Sequence, residues 1–319
     1  MRAYRVEKIG ETPQMCDIPR PQPEPGQTLV RMQACGLNFA DLLMIEGKYQ
    51  DMPSVPFTLG MEVAGIVETA DPSGNGPPAG SRVVVFGGRG GLADYGVFAT
   101  DRLATLPDTM PFADAAAMPV AYGTSHVALN HKARLQPGET LLVLGAAGGV
   151  GLTAVEVGKL MGARVIACAR GADKLAVAKQ AGADHLIDAK TEDIRETVKA
   201  LGGADVVYDP VGGDQFEAAF RAMRPEGRML VIGFASGRVP EIKANHMLVK
   251  NIDVLGFYWG AYRNFRPDIV TDSMHRLMAW YDEGRIRPHV SNVLSLDNAA
   301  EGLELLRTRQ STGKVIVTP

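Results

Sequence analysis

Between residues 141 and 257 the chain repeats one rhythm, a short apolar run followed by a longer stretch with helical spacing. The runs are Leu141-Leu-Val-Leu-Gly145, Arg164-Val-Ile-Ala-Cys-Ala169, His185-Leu-Ile-Asp188, Asp205-Val-Val-Tyr208, Met229-Leu-Val-Ile-Gly233 and Ile252-Asp-Val-Leu-Gly-Phe257. Continuous β-branched runs, as opposed to strict alternation, suit strands buried on both faces of a parallel sheet. The stretches between them (148–161, 172–180, 192–201 and 215–223) are rich in alanine and leucine. Gly162, Gly182 and Gly202 stand where a helix ends in a left-handed residue. Such alternation specifies an α/β fold with a doubly wound parallel sheet of six strands. The order 3-2-1-4-5-6 would leave the last strand, 252–259, at the sheet edge, and an apolar edge invites pairing with a second copy as a homodimer.

The first third of the chain reads differently. Pro19-Arg-Pro-Gln-Pro-Glu-Pro-Gly26, Pro53-Ser-Val-Pro56 and Asp71-Pro-Ser-Gly-Asn-Gly-Pro-Pro-Ala-Gly80 punctuate short β-rich runs at 28–32, 63–67 and 82–86. That pattern indicates a β-dominated unit. After residue 262 come a helix (270–283), a strand (290–294), a helix (298–307) and a strand (314–318). This tail is too short for a core of its own and is expected to return to the first domain. The expected division is 1–122 with 263–319, and 123–262.

Composition narrows the function classes. Lys+Arg at 33 against Asp+Glu at 36 gives a charge of −3, with no basic block to hold nucleic acid or an anionic membrane. Cys16, Cys35 and Cys168 form no pairing framework, and the first ten residues lack the apolar stretch of a signal peptide, so a cytoplasmic setting is expected.

The chemistry begins at Gly145-Ala-Ala-Gly-Gly-Val-Gly151, which joins the first apolar run to a helical pattern. In that context a glycine turn admits a dinucleotide pyrophosphate at a helix N-terminus. The G-x-G-x-x-G register falls on Ala146, Gly148 and Gly151, with Gly149 and Val150 between them. The second run ends Ala167-Cys-Ala-Arg170-Gly, without the acid that binds an NAD ribose, and Lys174 follows. Two cations suit the 2′-phosphate of NADPH. The segment at 87–91 is glycine-rich but introduces a further β run, and reads as a hairpin-like loop.

Gly36-Leu-Asn-Phe-Ala-Asp41, Glu46-Gly-Lys-Tyr49, Gly60-Met-Glu-Val-Ala-Gly65, Tyr122-Gly-Thr124 and Ser311-Thr-Gly-Lys-Val-Ile-Val317 resemble the medium-chain dehydrogenase/reductase superfamily over nearly the whole chain. The resemblance implies a GroES-like β-rich catalytic domain beside a Rossmann domain. The zinc branch of that superfamily has Cys where Asn38 stands and His where Met61 stands, and neither residue here is a suitable Zn²⁺ ligand. The chain is most similar to the zinc-independent NADPH:quinone oxidoreductase group, which includes ζ-crystallin-like proteins. That likeness places Asn38 and Tyr49 in a cleft facing the nicotinamide as catalytic residues. It assigns Thr124, Gly233, Phe234 and Arg309 to the cofactor, and Lys174 to its 2′-phosphate. One departure is Ala189, where the group often has tyrosine. By the same likeness Asn38 or Tyr49 would donate a hydrogen bond to the developing oxyanion. His126 and His131 read as structural, Asp41 and Glu62 as scaffold. Reduction of an enone or 2-enoyl thioester, and non-catalytic NADPH binding, stand as alternatives.

Overall fold

The computed structural model describes residues 1–86 and 88–319. The loop expected at 87–91 includes Gly87, which lies outside the described residues. The chain divides into two compact units, Met1–Val120 with Pro288–Pro319, and Ala121–Arg287.

The first unit is built on the strand Gln27–Gly36, which pairs antiparallel with Glu62–Thr69, Tyr95–Ala99 and Lys314–Thr318. Its inward side chains, among them Val30 and Met32, pack with Met44, Leu59, Val63, Val85, Val315 and Val317 in one apolar core. Each such side chain contributes roughly 1.5–3 kcal/mol when taken fully from water. Leu37 and Asn38 then leave the sheet, and the helix Phe39–Ile45 begins with Asn38 in extended conformation.

The second unit carries the six-stranded sheet. Its order across the sheet is His185–Asp188, Arg164–Ala169, Thr140–Leu144, Ala204–Asp209, Met223–Val231 and Asp253–Gly256. All five pairings are parallel, and the order is the expected 3-2-1-4-5-6. The central strand Thr140–Leu144 is buried at every residue, which is why its sequence does not alternate. The helices Gly149–Leu160, Ala172–Gln180, Ile194–Ala200 and Gly213–Ala222 fill the crossovers.

Two expectations are revised. The last strand stops at Gly256, and Trp259 opens the helix Trp259–Phe265 instead of ending the strand. The return to the first unit starts at Pro288, not at 263. The cause is the helix Pro267–Asp282, which buries Val270, Met274, Leu277 and Trp280 within the second unit, where Ser273 Oγ lies 2.8 Å from His126 Nδ1.

Candidate active site

The glycine turn is shaped by close approach. Gly145 sits at φ +57°, and Gly148 N–H donates to Gly145 O at 3.0 Å. A Cβ on Gly151 would lie 2.1 Å from Gly145 O, so any side chain there would displace the turn. A Cβ on Gly148 would meet only Gly145 O, at 3.4 Å, leaving open space above the turn. Ala146 is fully buried, and its N–H donates to Cys168 O at 3.0 Å, tying the turn to the neighbouring strand. No side chain caps the helix Gly149–Leu160. The N–H groups of Gly149, Val150 and Gly151 have no acceptor within the helix and face outward with its positive dipole end. These residues fit a pyrophosphate.

Arg170, exposed, follows the second strand. Gly171 N–H donates to Asp188 Oδ1 at 3.0 Å, and Asp188 also accepts Lys190 N–H at 2.9 Å. These backbone bonds, that from Lys190 first, hold the Asp188 carboxyl below its ordinary pKa. A Cβ on Gly171 would stand 3.5 Å from Lys190 Nζ. Lys174 is half-buried in the first turn of the helix Ala172–Gln180. A third cation, Lys190, thus joins Arg170 and Lys174 at this strand tip. Sequence reasoning passed over it, although it directly follows the unusual Ala189.

Beside the turn, Asp209 ends the fourth strand almost fully buried and accepts N–H bonds from Val211 at 2.7 Å and Gly212 at 2.9 Å. Burial raises its pKa to about 6, against those bonds. Its carbonyl accepts Gly233 N–H at 3.3 Å, fixing the loop of Gly233 and the partly exposed Phe234. Thr124 lies buried in the helix Ala121–His126. His126 is buried too, and desolvation first, then the Arg276 charge, lowers its pKa to about 4. His131 meets Tyr262 edge-on at 5.8 Å. His126 serves packing, while His131 lies exposed at the surface.

In the first unit, Asn38 is 9% exposed. Its Nδ2 donates to Gly36 O at 3.2 Å and to Glu62 Oε1 at 3.0 Å, while Oδ1 accepts from Lys314 Nζ at 2.9 Å. Both amide hydrogens are therefore engaged. This corrects the expectation of an Asn38 donor free to stabilise an oxyanion. Asn38 N–H also donates to Asp41 Oδ2 at 2.8 Å, and Asp41 Oδ1 accepts Gly60 N–H at 3.1 Å. Burial raises the Asp41 pKa to about 6 against those bonds. Tyr49, half-buried, packs on the first unit's core. Arg309 is exposed at φ +57°, just past the helix Ala299–Arg307. Met61 is buried among apolar neighbours, and among the described residues no group of three His, Cys, Asp or Glu side chains could hold a metal ion.

A parallel six-stranded sheet with a glycine turn at its first crossover, carried with a β-rich unit formed from both chain ends, defines a medium-chain dehydrogenase/reductase. Residues 24–108 match the model of the alcohol dehydrogenase GroES-like domain, and residues 149–276 that of the zinc-binding dehydrogenases. Quinone oxidoreductase-like protein 2 of Bos taurus is 37% identical over 324 residues, spanning 99% of this chain and 93% of that protein. The quinone oxidoreductase of Thermus thermophilus, solved also with NADPH, superposes with a TM-score of 0.89 at 33% identity over the full length of both chains. The Escherichia coli quinone oxidoreductase complexed with NADPH gives 0.93 at 29% identity, again over both full chains. The chain belongs to the zinc-independent quinone oxidoreductase family of this class.

Proposed function

We propose that this protein is an NADPH-dependent quinone oxidoreductase, passing hydride to a quinone or a similarly electron-poor acceptor without a metal. The observation that carries the reading is the uncapped helix opening over Gly148 and Gly151, with Arg170, Lys174 and Lys190 at the adjacent strand tip. The relatives and the NADPH-bound neighbours support it. NADPH, when bound, supplies the hydride.

The chain's own residues bind and orient. Ala146, Gly148, Gly149, Val150 and Gly151 receive the pyrophosphate, and the three cations receive the 2′-phosphate. Thr124, Gly233 and Phe234 of the second unit are further cofactor residues, and Arg309 is the one proposed from the first. Tyr49 is the hydrogen-bond donor to the acceptor, and Asn38 shapes the site through its own bonds. Asn38 and Met61, in place of metal ligands, restrict the acceptor to one that needs no Lewis acid.

The test is nicotinamide oxidation measured across 1,4-quinones, alkenals and enoyl-CoA thioesters. Turnover of quinones with NADPH supports the proposal. Turnover of enoyl thioesters alone would replace it with an enoyl reductase, and tight NADPH binding without turnover would leave a binding protein.

We also infer a homodimer and a cytoplasmic setting. The strand Asp253–Gly256 ends the sheet, and the helix Ala244–Lys250 buries no residue, leaving Leu248 79% and Val249 78% exposed. Two-fold pairing at this edge would cover them, and a stable monomer in light scattering at micromolar concentration would refute it. No described helix is long and apolar enough to cross a membrane.

A further inference from the structure

Three buried polar side chains in the first unit close into a network. Lys314 is 4% exposed and Glu62 fully buried. Lys314 Nζ donates to Leu37 O at 2.9 Å, to Asn38 Oδ1 at 2.9 Å and to Glu62 Oε1. All three ammonium hydrogens are used. Glu62 Oε1 also accepts from Asn38 Nδ2, and Glu62 Oε2 accepts Val120 N–H at 2.8 Å. No donor in the set is left over.

Burying an ammonium and a carboxylate is expensive, and an apolar trio of the same shape would be as stable or more so. What the charged set adds is direction. It holds three separate points of the chain at fixed angles: Asn38 at the start of the helix Phe39–Ile45, Glu62 at the head of the strand Glu62–Thr69, and Val120 at the end of the first unit's leading segment. Tyr49 follows that helix by four residues, and Thr124 follows Val120 by four.

We propose that Lys314 is a positioning residue for the acceptor site, its buried ammonium locking the Asn38 amide and Glu62 so that the helix leading to Tyr49 holds one orientation. This rests on the quinone reductase reading. Lys314 touches no reacting atom and acts through Asn38 and Glu62.

The test is the double variant Glu62→Gln/Lys314→Met, which removes the two paired charges together and leaves the buried Asp41 carboxyl on its backbone N–H bonds from Asn38 and Gly60. Expected is a fall in kcat/KM for a 1,4-quinone on the order of 10²-fold, the scale of a misplacement near 1 Å, with NADPH affinity unchanged. In ¹⁵N-asparagine spectra, the Asn38 side-chain amide pair of the wild type should be slow-exchanging, and in the variant it should move to solvent-averaged positions. Unchanged kcat/KM in the folded variant, or an unchanged Asn38 amide, would overturn the proposal. If the double variant does not fold, Lys314→Met alone decides by the same two readouts, since it removes the ammonium while the buried Glu62 can take up a proton and stay neutral. A wild type that reduces no quinone would refute the function proposed above, while the amide spectrum still decides whether Lys314 locks Asn38.

Discussion

The His126 ring offers a stability test whose size follows from its surroundings. It is 7% exposed, set edge-on to Trp280 at 5.4 Å with Nδ1 at 2.8 Å from Ser273 Oγ. Burial, and secondarily the charge of Arg276, depresses its pKa from 6.5 to about 4. The folded protein thus keeps the ring neutral at pH values where the unfolded chain takes up a proton. This stabilisation is complete above pH 6.5 and is lost as pH falls toward 4. At 1.36 kcal/mol per pH unit the loss reaches about 2.5 kcal/mol by pH 4.5. Asp209 works in the opposite sense, since its pKa is raised to about 6 by burial and its protonation at lower pH favours the fold. The comparison must therefore be with His126→Gln, in which Asp209 is unchanged. Both tryptophans, Trp259 and Trp280, lie in Ala121–Arg287, so tryptophan fluorescence reports unfolding of this unit alone. In urea, the wild-type midpoint should drop by about 1 M more than that of His126→Gln between pH 7 and pH 4.5. Parallel pH dependence in the two proteins would refute the burial argument.

Three further outcomes follow. Gly151→Val should abolish NADPH binding, read by fluorescence titration, because its Cβ would stand 2.1 Å from Gly145 O and force the phosphate turn apart. Removing Arg170 and Lys190 together should lower the NADPH-to-NADH preference in kcat/KM by tenfold or more, at about 1.4 kcal/mol per tenfold, with NADH kinetics unaltered. Tyr49→Phe should slow enone reduction far more than quinone reduction, since an enolate needs a proton at carbon and a positioned acid is worth about 10²–10⁴-fold. Equal losses would mean the tyrosine only shapes the pocket.

The parallel sheet was readable because a strand buried on both faces, such as Thr140–Leu144, has no alternative to a continuous apolar run. The glycine turn was readable because its requirement is local: Gly151 must let the carbonyl of Gly145 pass beneath it. The helix Pro267–Asp282 shows where local pattern stops. Its periodicity announces an apolar face, but which unit that face covers depends on contacts such as Ser273 with His126, 147 positions apart. In the same way Phe257-Tyr-Trp259 reads as the end of a strand, yet Tyr258 turns the chain into a helix. Asn38 is legible as a position but not as an occupied donor, because its amide hydrogens go to the Gly36 carbonyl and to Glu62, 24 residues away on another strand. Lys190 was within reach, since the missing tyrosine at Ala189 marked the place to look.

The most direct test of the account is a single turnover with NADPH and one equivalent of a 1,4-quinone, after dialysis against a chelator. One NADPH should be consumed per quinone, with no loss of rate on metal removal and a slower rate when deuterium replaces hydrogen on one face of nicotinamide C4. A rate that disappears with the chelator and returns with Zn²⁺, or one indifferent to deuterium on either face, would contradict metal-free hydride transfer.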